Sequence, residues 1–249
     1  MKTLETLKTF LDCYTWPFIE VIVVDDGSSD RTFEIADRFR DMMPTLRILQ
    51  NPINRGKGYA VRRGMLQARG QWILYTDADL STPIDELNTM LASALANGAS
   101  VIIGSRALNR SLIEIHQPIF REWAGRLFNC IMRLITRLPF RDTQCGFKLY
   151  NAAAARQIFQ RQHLDGFGFD VEDLFIARKL GLQVMELPVR WSDRPGTRVT
   201  FSKGLTSFLE LIRIRYGDVA GRYSFKGRHT PAAREGQGEH SRFASLPDE

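Results

Sequence analysis

Cysteine is scarce. Cys13, Cys130 and Cys145 are the three in 249 residues, too few and too scattered for a disulfide framework or a zinc site, so a reducing compartment is expected. No apolar run approaches the roughly 20 residues of a membrane-spanning helix. The first ten residues mix Lys, Thr and Glu with isolated apolar positions, which is not the pattern of a secretory signal peptide. Internal repeats are absent. Glycine is never spaced Gly-x-Gly-x-x-Gly after Asn54-Arg-Gly56-Lys57-Gly58, which argues against a dinucleotide oxidoreductase. What is present is ordinary for a globular chain, 44% hydrophobic and 25% charged, with length for one α/β domain and its extensions. The net charge of +6 favours an anionic partner such as a phosphate, a nucleotide or a lipid surface. No nucleic-acid partner is expected.

The most informative stretch is Trp72-Ile-Leu-Tyr-Thr-Asp77-Ala-Asp79. A short apolar run ending in two carboxylates predicts a strand with both acids at its carboxyl end, where open α/β sheets place ligands. Asp-x-Asp there suits a divalent cation with substrate phosphates completing its shell. The alternative is that Asp77 is a turn residue and Asp79 the N-cap of the following helix. A second strand, Ile19–Val24, ends in Asp25-Asp26, and a third, Ser100–Gly104, ends in Ser105-Arg106. Helices are predicted over Leu4–Leu11, Arg31–Met42, Gly58–Ala68, Ile84–Ala96, Ala152–Phe159 and from Phe167 to Lys179. Further strands are predicted at Leu46–Leu49 and Val184–Trp191. The alternation predicts an open, mostly parallel sheet flanked by helices. The glycines at 56 and 58 are those of a turn letting backbone N–H groups approach phosphate or a ring, or of an ordinary turn. Asp170, Glu172 and Asp173 open a helix, either complementing its dipole or lining a pocket.

Two further segments are amphipathic. Between Pro118 and Leu138 the residues Phe120, Ala124, Leu127, Ile131, Leu134 and Leu138 share a face opposite Arg126, Arg133 and Arg137. Over Ser202–Tyr216 the aligned residues are Leu205, Phe208, Leu209, Ile212 and Tyr216. Basic amphipathic helices either lie in a membrane interface or pack on a sheet with Arg outward. The segment 224–249 is polar, with almost no apolar content, and predicts a disordered tail behind a domain spanning 1–223.

In order along the chain, Val-Val-Asp25-Asp26-Gly-Ser-Ser-Asp30, Arg55-Gly-Lys57-Gly58, Asp77-Ala-Asp79, Gly104-Ser-Arg106, Arg141-Asp-Thr-Gln-Cys-Gly-Phe-Lys148, Phe169-Asp170-Val-Glu172 and Pro195-Gly-Thr-Arg198-Val together resemble a family 2 glycosyltransferase of GT-A fold. The likeness is to its dolichyl-phosphate β-glucosyltransferase and polyprenyl-phosphate branch. It implies a nucleotide-sugar donor, with UDP-glucose the nearest hint, a polyprenyl-phosphate acceptor, and Mg²⁺ or Mn²⁺ as cofactor. By resemblance Asp25 or Asp26 binds the nucleoside, and Lys57, Gly58, Asp77 and Ala78 line the donor. Asp77 stands at the ribose or in the metal shell, and Asp79 binds the metal directly. Asp79, Arg106, Asp170 and Glu172 are the implied catalytic set; Arg121, Lys148 and Arg198 are the implied acceptor-phosphate cations. A cation bridging the diphosphate stabilises the leaving group. A phosphate monoester, with second pKa near ~6, is already nucleophilic at neutral pH, and in-line displacement inverts the anomeric centre through an oxocarbenium-like state.

A lipid acceptor favours the interfacial reading of the two amphipathic segments, and hence a cytoplasmic protein, peripheral at the inner face of a membrane. The resemblance also fails at one place. The family's opening strand, ending in Pro-x-Tyr/Phe-Asn-Glu, has no counterpart, so an N-terminally truncated domain is expected. In a doubly wound sheet that strand lies between those beginning at Ile19 and Trp72, which predicts that these two either pair directly or leave a slot. Two other functions stay open: transfer to a non-lipid acceptor, although the processive Gln-x-x-Arg-Trp is missing, or an inactive nucleotide-binding, membrane-associated scaffold.

Overall fold

A computed structural model describes residues 2–115, 129–193 and 201–224, with backbone only for 201–207. In chain order the elements are α1 (Lys2–Asp12), β1 (Val21–Asp25), α2 (Thr32–Arg38), β2 (Leu46–Gln50), α3 (Lys57–Gln67), β3 (Trp72–Thr76), α4 (Glu86–Asn97), β4 (Val101–Ser105) and β5 (Ile113–Ile115). Then come α5, helical over its described residues 129–136, β6 (Phe147–Asn151), α6 (Ala152–Phe159), α7 (Phe169–Lys179), β7 (Val184–Pro188), β8 (Trp191–Ser192) and α8 (Phe201–Val219).

The main sheet has the order β3-β6-β4-β7. β4 runs parallel to β7, while β6 is antiparallel to both its neighbours, with Leu149 opposite Leu74 on one side and Ile102 on the other. β4 is buried along its whole length, because its alternating side chains enter two cores. Val101 and Ile103 face the core under α6 and α7, and Ile102 faces the one that includes Met90 and Ala94 of α4. A strand covered on both faces needs such a continuous apolar run.

The structure amends the expected elements at several points. The helix expected from Arg31 to Met42 stops at Arg38 and closes with a 3-10 turn at Phe39–Asp41. The strand expected over Val184–Trp191 divides: β7 ends at Pro188, and Trp191, with Ser192 beyond it, pairs with β5 instead. Residues 147–151, for which the sequence predicts no element, are strand β6, and the helix expected over Ala152–Phe159 follows it directly. Of the apolar face expected through 118–138, Leu138 is buried and Ile131 half-buried, but Leu134 is 79% exposed and Met132 packs in its place. The 225–249 tail lies outside the described residues.

Between β1 and β3 there is no ladder. Among the described residues β1 pairs with β2 and β3 with β6, so direct pairing does not hold and the expected slot is a position without a ladder. Helix α1 packs over both halves: Leu7 and Leu11 touch the core of the β1–β2 pair and that of the main sheet, and Thr3 donates to the Ala78 carbonyl at 2.7 Å. The strand facing the slot is correspondingly underburied, Val21–Val24 being half-buried where β4 is fully buried. Fusing a Val/Ile-rich five-residue strand through a short linker ahead of Lys2 is expected to raise the melting temperature by several degrees, at about 2–4 °C per kcal/mol gained in a chain of this size. An unchanged melting temperature would remove the slot as a source of instability.

Candidate active site

β1, β3 and β4 deliver Asp25-Asp26, Asp77-Ala78-Asp79 and Arg106 from their carboxyl ends. Asp25 is buried and accepts from the Ser28 amide at 3.1 Å and Gln50 Nε2 at 3.3 Å. Asp26 is held by three donors, Asn51 Nδ2 at 2.7 Å, the Arg55 amide at 3.0 Å and the Gly56 amide at 2.7 Å. That arrangement fixes the approach of the chain to α3. At its first residue α3 presents Lys57, whose ammonium pairs with Asp77 Oδ1 at 2.8 Å. Tyr75 donates its hydroxyl to the same oxygen at 3.0 Å. Burial works against the Lys57 charge, but Asp170 and Asp77 outweigh it and raise its pKa above the ordinary lysine range.

The glycines of this turn serve packing. Gly56 has φ +110°, and a Cβ there would stand 2.4 Å from the Asp165 carbonyl oxygen; one at Gly58 would stand 2.5 Å from that of Leu164. The turn at 164–166 therefore lies directly against the start of α3, fastened by Tyr59 N–H to Asp165 O at 3.2 Å and Arg62 to the Asp165 carboxylate at 2.8 Å.

Asp79 is exposed, and its Oδ1 accepts from the Ser81 amide at 2.9 Å. It closes a local turn. The N-cap of α4 is Asp85, so capping is not the role of Asp79. Among the described residues no group of three or more His, Cys, Asp or Glu side chains is arranged to hold a metal. The donor set fits a divalent ion all the same: two carboxylates at a strand end, one exposed, match cations that take one or two carboxylates and leave the rest of the shell to phosphates.

Behind the edge lies a buried ionic cluster. Lys148, at the middle of β6, is fully buried, with its ammonium on the Asp170 carbonyl and carboxylate, both at 2.8 Å, and on Asp173 at 3.2 Å. Tyr150 also donates to Asp173. Burial, opposed by Lys148, pushes the Asp173 carboxyl up to about 7. Lys148, expected to hold acceptor phosphate, is thus the internal counter-ion of α7, enclosed away from any ligand. Glu172 is corrected in the same way: it is fully buried and accepts from the backbone amides of His163 and Leu164 and from Tyr223 Oη at 2.6 Å, a holding role and no contact with a reacting atom. Arg106 grips Asp142 through Nε at 2.7 Å and Nη2 at 2.9 Å, and lies over the Trp191 ring. Its charge is neutralised at once. The structure therefore brings Lys57, Asp77 and Asp170 together, with Asp79 two residues beyond. Arg121 and Arg198 lie outside the described residues.

Asp142, Tyr75, Tyr150, Glu210 and Tyr223 were not among the expected site residues. Of these, Tyr75 and Asp142 had a local signal, sitting inside the Trp72–Asp79 stretch and the Arg141–Lys148 motif.

The family model described as glycosyl transferase family 2 matches residues 2–159. The chain is 34% identical over 219 residues to a dolichyl-phosphate beta-glucosyltransferase of Trichomonas vaginalis, covering 86% of this chain and 64% of that protein. It is 33% identical to those of Saccharomyces cerevisiae, over 79% of this chain and 65% of that protein, and Homo sapiens, over 79% and 64%. The chain thus spans a little under two thirds of the length of these relatives. Among solved structures, mannosyl-3-phosphoglycerate synthase from Rubrobacter xylanophilus superposes with a TM-score of 0.61 at 16% identity, covering 92% of this chain and 72% of that one. Glucosyl-3-phosphoglycerate synthase of Mycobacterium tuberculosis superposes at 0.58 and 17%, covering 90% and 77%. These likenesses show a shared GT-A-like α/β fold, and with its family model matched over more than half its length the chain belongs to glycosyl transferase family 2.

Proposed function

We propose that this chain is the catalytic domain of an inverting, metal-dependent transferase that moves glucose from a UDP-linked donor to a polyprenyl or dolichyl phosphate at the cytoplasmic face of a membrane. The observation that carries it is Lys57, a cation paired with Asp77 at 2.8 Å, and in the field of Asp170, at the strand end that also bears Asp79. That is a charge arrangement suited to a diphosphate. The relatives named as dolichyl-phosphate beta-glucosyltransferases support the sugar and the acceptor class. The mycobacterial synthase, solved with Mn²⁺ and UDP, supports the cation and the nucleotide.

In this reading Asp79, with Asp77, would hold a Mg²⁺ or Mn²⁺ ion that neutralises charge on the departing diphosphate. Asp26 and Asn51 keep the turn before α3 in place, so that Lys57 meets the phosphates from a fixed backbone. Asp170, paired with Lys148 at 2.8 Å, supplies negative charge beside Lys57 where the sugar develops positive charge. Acceptor phosphate needs no strong base. Arg121 and Arg198 remain its proposed cations.

The membrane surface is supported by α8. Leu209, Ile212, Tyr216 and Val219, spaced 3-4-3 along one face, are 46–79% exposed, while Leu211 and Ile214 on the other side are fully buried. Arg213 and Arg222 are exposed beside the stripe, as are Arg133, Leu134 and Arg137 on and just after α5. Such a combination fits an anionic lipid surface. Each basic residue near that surface adds about 1 kcal/mol, so replacing Arg126, Arg133 and Arg137 together by Gln is expected to release the protein from anionic vesicles at physiological salt. Failure of the parent protein to float with vesicles would end the interfacial reading.

The activity is tested with a panel of nucleotide-sugars, Mg²⁺ or Mn²⁺, and polyprenyl phosphate, following lipid-linked sugar. Transfer from UDP-glucose is expected. Transfer only to soluble acceptors would instead establish a non-lipid glycosyltransferase. Neither transfer nor metal-dependent donor hydrolysis would establish a scaffold.

A further inference from the structure

Three buried groups take no part in the chemistry proposed above, and all three fasten the same turn. Glu210, on the buried side of α8, accepts from the Gly168 amide at 2.6 Å. Its carboxylate fills the space that a side chain at Gly166 would need, with Oε1 2.2 Å from an ideal Cβ there. Glu172 of α7 accepts from the amides of His163 at 3.0 Å and Leu164 at 2.8 Å. Tyr223, just beyond α8, is 2% exposed and donates to Glu172 at 2.6 Å. Burial raises the pKa of both carboxyls, against the hydrogen bonds they accept. From this turn the chain enters α7 and reaches Asp170 within two residues. The opposite side of the turn presses on Gly56 and Gly58 and accepts the Tyr59 amide, next to Lys57.

The geometry points to Glu210 and Tyr223 as positioning residues: through the 163–168 turn, α8 sets the placement of Lys57 and Asp170. This deepens the donor-site reading and rests on it. On α8, Leu209 and Glu210 are adjacent, one exposed and one buried, so the helix that offers its apolar stripe outward holds the turn inward. Seating the stripe on lipid therefore steadies the turn, and with it the groups that meet the donor. A rigid helix with a few buried, fully hydrogen-bonded polar anchors transmits such a restraint without any change of fold.

The test uses the whole 249-residue protein, with amide hydrogen exchange read residue by residue and UDP binding by calorimetry. In Glu210→Ala, exchange at His163, Leu164, Gly168 and Tyr59 is expected to rise together by at least tenfold. UDP affinity should fall at least fivefold, with the amides of β4 unchanged. Glu210→Gln keeps an acceptor for Gly168 and should restore both readings to near the parent values. Tyr223→Phe keeps the ring and loses the hydrogen bond, and is expected to loosen His163, Leu164 and Tyr59. Vesicles of phosphatidylserine and phosphatidylcholine should slow exchange at 163–168 in the parent and not in Glu210→Ala. Acceleration confined to Gly168, with Tyr59 unmoved in both Glu210→Ala and Tyr223→Phe, would overturn the inference. Should Glu210→Ala open β4 as well, Tyr223→Phe and Glu210→Gln decide it alone. Coupled exchange without any glycosyl transfer would sink the proposed activity and leave the positioning standing; transfer with uncoupled exchange would do the reverse.

Discussion

Asp79→Asn is expected to lower metal-dependent transfer by at least ~100-fold, a loss of about 2.7 kcal/mol of transition-state stabilisation, without lowering the melting temperature. The side chain is exposed and its described contact is one local bond, to the Ser81 amide. An asparagine carbonyl oxygen can accept that bond equally well. Nothing buried is left unpaired, so the fold has no reason to respond. What changes is the charge. A carboxylate that would hold a divalent cation becomes a neutral amide, and the leaving diphosphate loses the cation's Lewis-acid assistance. Asp77→Asn makes the useful contrast. Asp77 Oδ1 already carries Lys57 and Tyr75, so its replacement disturbs a half-buried ammonium and should alter stability and UDP affinity as well as rate. Titration of Mn²⁺ by electron paramagnetic resonance in the presence of UDP separates the two: Asp79→Asn should weaken the metal itself. Transfer by Asp79→Asn within a few fold of the parent would remove Asp79 from the reaction.

The parts of this molecule that were legible in its sequence are those whose causes are local. Trp72–Asp79 announces a strand and its acidic end within eight residues, and the strand is there, with both acids beyond its last residue. The periodicity of α8 is likewise internal to it, and Leu209, Ile212 and Tyr216 do share an outward face. What could not be read was set by partners far along the chain. Strand β6 was hidden by Lys148, a charge in the middle of a buried run, whose neutralising acids lie 22 and 25 residues away on α7. Gly58 has the spacing of a ligand-facing turn. Its actual neighbour is a backbone turn more than 100 residues later, and no local pattern distinguishes the two. Arg106 looked like a free cation at a strand end because Asp142, 36 residues on, is far from it in sequence. The missing ladder between β1 and β3 is the reverse case: the topology rule places a strand there whatever the local sequence, and among the described residues no ladder joins the two.

Lys148→Met should be the most destabilising single change in the described core, at about 3–5 kcal/mol, the range for removing one partner from a buried ion pair. The methionine side chain follows much the same path as the lysine stem, so packing against β3 and β4 is little disturbed. Loss of the ammonium, however, leaves Asp170 and Asp173 facing each other in the interior, with Tyr150 and the Leu174 amide as the remaining donors to Asp173. Asp173→Asn should cost less, since Lys148 keeps Asp170 and the amide still accepts from Tyr150. The pH dependence distinguishes charge from packing. Asp173 in the parent is already pushed up to about 7 by burial, and without Lys148 it must rise further. A carboxyl whose folded value lies above its unfolded value contributes stability that is full below the unfolded value and lost as pH rises through the folded one. Between about pH 4 and 7 parent and variant lose it in parallel, because both hold the proton. Above 7 the parent's loss levels off and the variant's continues. Urea midpoints should therefore show a larger deficit for Lys148→Met at pH 8 than at pH 5.5. A deficit equal at both pH values would mean that lost packing, and not the uncompensated carboxylates, destabilises the variant.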